Sequence, residues 1–199
     1  MPAWQGAHVT LWDPYLDLGT GVLRNRLAIT DPIVLAALEA DFAAVRISQL
    51  CRTDVPGDYD LRHLQTFHHA IFGDVYDWAG DLRTVRMGKG APFCAPHLLR
   101  AHGERIFAQL ARRQWLRGLR RDEFVHDLAG LLGAINSLHP FRDGNGRAQR
   151  AFLGQLARAA GHEIRWSAMD PERNIDASAA AHRDGDLTPL TSLLDALVA

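Results

Sequence analysis

From Arg121 to His139 the chain reads RDEFVHDLAGLLGAINSLH, with apolar side chains at Phe124, Leu128, Leu131, Leu132, Ile135 and Leu138. Spacings of three and four put these groups on the broad face of a helix that protein surrounds on most sides. Such a helix is stable only if other helices pack around it, and the rest of the chain supplies them. DPIVLAALEADFAAVRISQL opens with Asp31 as N-cap and Pro32 at the first helical position. DLRHLQTFHHAIF carries Leu61, Leu64, Phe67 and Ile71 on one stripe. PHLLRAHGERIFAQLARRQWL starts at Pro96 and sets Leu99, Ile106 and Leu110 opposite its arginines; RAQRAFLGQLARAAG ends at Gly161. Two shorter helices are expected at roughly 170–182 and 188–198. Only LRTVRMGKGAPFCA, 82–95, departs from this pattern, as short β-prone stretches meeting at Gly88-Lys89-Gly90 in a small hairpin. The expected fold class is mainly α.

A chain of 199 residues is long enough for one domain with its own core, burying roughly 70% of the surface its unfolded form exposes. We expect a single domain over 1–199, with 1–30 as an N-terminal arm and the core at roughly 31–199. The 22 basic and 23 acidic side chains leave a formal charge of −1, which gives no global reason to expect direct contact with nucleic acid or an anionic membrane. Cys51 and Cys94 are too few for a disulfide framework. MPAWQGAHVT has no basic start followed by an apolar run, and no window approaches 18 uninterrupted apolar residues. The expected location is the cytoplasm. The most basic stretch, RRQWLRGLRR at 112–121, reads as a solvated helix face near an acidic partner rather than a nucleic-acid contact.

The chemistry concentrates where the apolar helix ends, in LHPFRDGNGRAQR, 138–150. Gly144, Asn145 and Gly146 fall at the N-terminus of the next helix. Backbone N–H groups there lack partners, the helix dipole favours anions, and glycine lets a phosphate approach closely. Arg147 and Arg150, three apart, project from one side of that first turn, and their planar forks suit a polyphosphate. Asp143 is placed to hold a magnesium ion bridging phosphates, and His139 to take a proton from an incoming hydroxyl. Each piece alone is ordinary: a solvent turn, solvated arginines, a capping histidine. In this order and spacing they describe a nucleotide phosphate cradle with a base beside it.

The stretch HPFRDGNGRAQR resembles the signature of the Fic domain family, His-Pro-Phe, any residue, Asp or Glu, Gly-Asn-Gly-Arg, two residues, Arg, with every fixed position filled. Similarity extends to IFGDVYDWAGDLRTVRMGKG at 71–90, to DGDLTPLTSLL at 184–194 and to GTGVLRNRLAITDP at 19–32. The resemblance implies the Fic fold, a helical bundle with a β-hairpin flap over the active site. It also implies a protein adenylyltransferase moving AMP from ATP to a target hydroxyl, on Tyr, Ser or Thr, with release of pyrophosphate. By matching positions, His139 is the base and Asp143 the Mg2+ ligand. Gly144, Asn145 and Gly146 form the phosphate-binding turn, Arg147 grips the distal phosphates and Arg150 the γ-phosphate. Pro140 and Phe141 are structural. The flap, with Arg86, Met87, Gly88, Lys89 and Gly90 at its turn, docks an extended segment of the target; Lys89 and Phe93 are candidate contacts.

Many relatives carry an inhibitory helix with Ser or Thr, three residues, Glu, then Gly or Asn. No such pattern occurs here: SAMDPERN has the wrong spacing and TPLTSLLDALVA has no glutamate. The resemblance then implies the toxin of a toxin–antitoxin pair, inhibited by a small antitoxin protein that supplies the glutamate. Two alternatives stand beside it: an idle nucleotide-binding or scaffolding module, opposed by intact His139 and Asp143, and altered phosphotransfer, opposed by glycine at 146 where kinase-like relatives carry lysine. The histidines at 63, 68 and 69, and at 97 and 102, lack metal-ligand spacing and read as core or surface groups. Trp78 reads as core, with Tyr76 a candidate pocket wall.

Overall fold

The structure, a computed structural model, describes residues 13–199. The reading of MPAWQGAHVT and the first part of the arm therefore lie outside the described residues. Among these residues run seven α-helices: α1 Pro32–Leu50, α2 Leu61–Phe72, α3 Leu99–Arg112, α4 Arg121–Leu138, α5 Asn145–Ala160, α6 Pro171–Asp184 and α7 Thr188–Leu197. Between α2 and α3 lies one antiparallel pair, β1 Gly88–Lys89 with β2 Ala91–Pro92. The mainly α reading holds.

Helix α4 is the centre. It packs against α3, α5, α6 and α7, and Phe124, Leu128, Ala129 and Ile135 are wholly buried. Burying an aliphatic or aromatic side chain contributes about 1.5–3 kcal/mol each, so α4 anchors the main core. A second, smaller core joins α1 to α2 through Leu35, Ala43, Ile71, Phe72, Val75 and Tyr76. Asp31 caps α1 as its sequence indicates, accepting from the N–H groups of Ile33 and Val34. The outer face of α1 stays apolar and solvent-facing at Ile33, Val34 and Val45.

One helix ends earlier than its spacing indicates. The α3 pattern ran to Leu116, but the helix stops at Arg112. Gln114, Trp115 and Leu116 then take left-handed backbone angles, φ 51°, 53° and 60°, which seat Leu116 in the main core. This turn costs conformational energy in three consecutive non-glycine residues; burial of Leu116 and the bond from Trp115 Nε1 to the Asp58 carbonyl (3.2 Å) offset part of it. In the basic stretch beside it Arg113 pairs with Asp127, Arg120 with Asp122, and Arg121 with Asp195, on a solvent-exposed face.

Candidate active site

His139 terminates α4. Its N–H still reaches the Ile135 carbonyl at 3.0 Å, yet its own backbone is left-handed (φ 46°, ψ 62°). A non-glycine residue in that region is strained, and here the surroundings impose it. Arg83 donates Nε–H to the His139 carbonyl at 2.7 Å, and its main-chain N–H donates to the Pro140 carbonyl at 2.8 Å. The same guanidinium bonds the carbonyls of Val85 (2.7 Å) and Cys94 (2.6 Å), the two sides of the hairpin segment. Arg83 is 1% exposed, and no carboxylate hydrogen-bonds to it among the described residues.

The imidazole of His139 lies flat on the Phe93 ring, centroids 3.9 Å apart and planes 3° from parallel. Phe93 is fixed in turn by its N–H to the Met87 carbonyl (2.9 Å) and by His182, 4.7 Å away on its ring. Nδ1 of His139 is buried with no partner in hydrogen-bonding geometry among the described residues. Burial first, then the Arg83 charge, hold the ring's pKa down at about 4, with the Asn136 carbonyl pulling the other way. At neutral pH the ring is therefore an uncharged acceptor of a proton.

Beyond His139 the loop is locked by two side chains. Phe141 is buried, its ring stacked 3.9 Å from that of His68. Asn145 bridges back to it, accepting from the Phe141 N–H (2.9 Å) and donating to the Phe141 carbonyl (2.8 Å). The Asn145 side chain thus shapes the turn, which leaves its main-chain N–H as the donor it could offer an anion. His68 accepts from the Gly80 N–H at Nδ1 (2.8 Å), so its proton sits on Nε2, which donates to the Asp143 carbonyl (2.9 Å). Burial keeps it neutral, with a pKa of about 4. His63 likewise engages both ring nitrogens with main chain, at Tyr59 and Val55. These two are core histidines, as their sequence context indicated.

Gly144 caps α5 at φ 75°, and a Cβ there would meet the Phe72 ring at 2.4 Å; conformation and space both require glycine. The first-turn N–H groups of Asn145 and Gly146 have no helical acceptor. Over that turn sits Arg150, one terminal nitrogen 3.2 Å from where a Gly146 Cβ would lie. Arg150 makes no ion pair among the described residues; burial and the neighbouring Arg147 charge disfavour its charged form. A half-buried guanidinium without a counter-ion, above free N–H groups, is a site for an anion.

Arg147 differs. It bonds the Glu39 carboxylate from α1, which also accepts from the Tyr76 hydroxyl, and its guanidinium lies 4.6 Å over the Phe72 ring. Sequence reading missed Glu39, Arg83 and His182, which only tertiary contacts bring to the loop. Asp143 is exposed, with Oδ1 taking the Gly144 N–H at 2.5 Å. Among the described residues no three His, Cys, Asp or Glu groups cluster as a metal cage. A lone exposed carboxylate beside an anion turn suits a Mg2+ ion that draws its other ligands from phosphate and water. In the hairpin, Lys89 and Gly90 are exposed at the turn, Arg86 is exposed, and Met87 and Gly88 are half-buried. The paired segment is shorter than 82–95, two residues per strand, because Arg83 and Cys94 are tied down to the α4 end instead.

Comparison with known proteins places this geometry. The family model described as Fic/DOC family matches residues 58–157. The protein adenylyltransferase VbhT of Bartonella schoenbuchensis is 42% identical over 167 residues, 83% of this chain and 35% of VbhT. The probable protein adenylyltransferase y4lH of Sinorhizobium fredii is 40% identical over 183 residues, 90% of this chain and 93% of that one. The chain thus spans about a third of VbhT and nearly all of y4lH. Among solved structures, the BepC protein of Bartonella tribocorum with bound AMPPNP superposes with a TM-score of 0.87 at 27% identity, over 93% of this chain and 96% of that one. The N-terminal Fic domain of a Bartonella quintana cell filamentation protein with bound ADP gives 0.88 at 28% identity, over 93% and 94%.

Proposed function

Because the chain belongs to the Fic/DOC family, we infer that it is a protein adenylyltransferase that moves AMP from ATP to a hydroxyl side chain of another protein. The observation that carries this reading is the unpaired Arg150 guanidinium over the Gly144–Gly146 turn, on the loop that also holds the neutral imidazole of His139. The anion turn and Arg150 hold the polyphosphate. The target hydroxyl oxygen attacks the α-phosphorus, its proton passes to His139, and the bond from that phosphorus to the bridging oxygen breaks, so that pyrophosphate leaves. Positioning and charge neutralisation supply most of the rate in such transfers.

Asp143 would hold Mg2+, whose chemistry there would be neutralisation of phosphate charge. The hairpin supplies an edge to which an extended target segment adds, main-chain bonds setting its register. The target carries a Tyr, Ser or Thr hydroxyl. Arg150, free of any carboxylate among the described residues, is the group that a small antitoxin's glutamate would cover. That reading makes the chain the toxin of a toxin–antitoxin pair acting in the cytoplasm; the absence from its sequence of the Ser/Thr-x3-Glu pattern supports it.

The test is incubation of the full chain with Mg2+ and cell lysate, with ATP labelled at the α-phosphate in one arm and the γ-phosphate in the other, and His139→Ala alongside. Label from the α-position only, absent in the variant, is the expected result. Label from the γ-position only would show transfer of the distal phosphorus and overturn the reading.

A further inference from the structure

The Glu39 carboxylate is the one acidic side chain bonded to Arg147 or Arg150 among the described residues, and it comes from a helix 108 residues away in sequence. It is buried, 8% exposed, and both oxygens are used: one takes the Arg147 N–H, the other the Tyr76 hydroxyl. Arg147 is held from below as well, its guanidinium lying over the Phe72 ring whose edge also sets the space left for Gly144. Ring and carboxylate therefore fix the guanidinium in one place. Only one terminal nitrogen is engaged with Glu39, so the Nε and the other terminal nitrogen keep their donors for a ligand.

We propose that Glu39, steadied by Tyr76, is a positioning residue for nucleotide binding: it holds Arg147 in the orientation that presents its remaining N–H edge to the ATP phosphates. This rests on the ATP reading of the site. A free arginine side chain carries substantial rotamer freedom, and pre-orienting it removes that loss from the binding step. Glu39 also sets the charge of the cradle. With Arg147 paired to Glu39, Arg150 is left as the cradle cation that has no carboxylate partner among the described residues, and the pairing offsets part of the repulsion that Arg147 exerts on it.

The experiment measures ATP binding in the presence of Mg2+ by calorimetry, and steady-state KM and kcat, on the full chain. The variants are Glu39→Gln, Tyr76→Phe, Arg147→Ala and Glu39→Gln with Arg147→Ala. Glu39→Gln keeps shape and size and should raise Kd and KM for ATP about tenfold, a loss equal to one good interaction, while kcat at saturating ATP stays within about twofold. Tyr76→Phe should raise them less. In the Arg147→Ala background the Glu39 change should cost nothing further, which a general destabilisation of the fold would not reproduce. Unchanged or tighter ATP binding in Glu39→Gln would overturn the proposal, the second showing a carboxylate that competes with phosphate. Additive losses in the double variant would overturn it too. Wild-type protein that binds no ATP would instead remove the nucleotide reading beneath it, an outcome visible before any variant is made.

Discussion

Arg83 and His139 meet through main chain: the buried guanidinium donates to the carbonyl of the histidine proposed as base, at 2.7 Å. Four carbonyls, those of Val85, Cys94, Leu138 and His139, surround one cation. Burial weakens its preference for charge, yet an arginine keeps its proton and the carbonyl dipoles stabilise it. Arg83→Met would leave those acceptors unpaired, and we expect a loss of about 3–5 kcal/mol in denaturant-derived stability. Arg83→Lys, with a point charge in place of a fork, should fold and lose activity, because it cannot hold hairpin and base together. A lysine variant with wild-type kcat would contradict this account.

Gly144→Ala asks for a methyl group where the Phe72 ring stands at 2.4 Å, and for a left-handed alanine. We expect about 1–3 kcal/mol of destabilisation and more than a tenfold loss of ATP affinity as the turn is pushed aside. Phe72→Leu added to Gly144→Ala should recover part of the stability, measured by thermal melts of the three variants. No recovery would mean that the backbone angle, rather than the ring, sets the cost.

The acidity of His139 fixes a pH profile. With its pKa lowered from 6.5 to about 4 in the free protein, kcat/KM should stay flat from pH 8 down to about pH 6 and fall only as pH nears 4. The same depression is a stability statement. The unfolded chain takes up this proton below 6.5 and the folded chain only near 4, so stability rises with pH across that window, by up to about 3 kcal/mol from this group. An acid limb centred on 6.5 in the kcat/KM profile would show that burial does not hold the ring neutral.

Phe93→Ala removes the ring stacked on His139. Water then reaches the imidazole, its pKa rises toward 6.5, and the acid limb of kcat/KM should move up by a pH unit or more. ATP affinity, which the proposed cradle of the turn, Arg147 and Arg150 would set, should change less than about twofold. Equal losses in kcat and ATP binding would assign Phe93 to folding of the loop as a whole.

The helices were legible because their signal is local. Asp31 and Pro32 announce the start of α1, and Phe124 to Leu138 trace the buried face of α4 within one segment. The loop from His139 to Arg150 was legible because its groups lie next to each other in the chain. The left-handed turn at Gln114–Leu116 was not, since nothing in RRQWLRG signals it; the core's demand for Leu116 imposes it. Glu39 and Arg83 look like ordinary helix and loop charges. Their roles arise from partners 108 and 56 residues distant, and spacing rules do not reach that far.

The segment that carries the family match, 58–157, contains every residue from His139 to Arg150. It omits α1, and with it the carboxylate that grips Arg147; it also omits α6 and α7, which cover α4, and His182, which backs the Phe93 ring. The recognisable stretch thus lacks groups that complete the site in this structure. A fragment trimmed to the recognisable stretch would retain the full signature while its arginine swung loose, so a deletion series across this protein should lose nucleotide binding before it loses its likeness to the family.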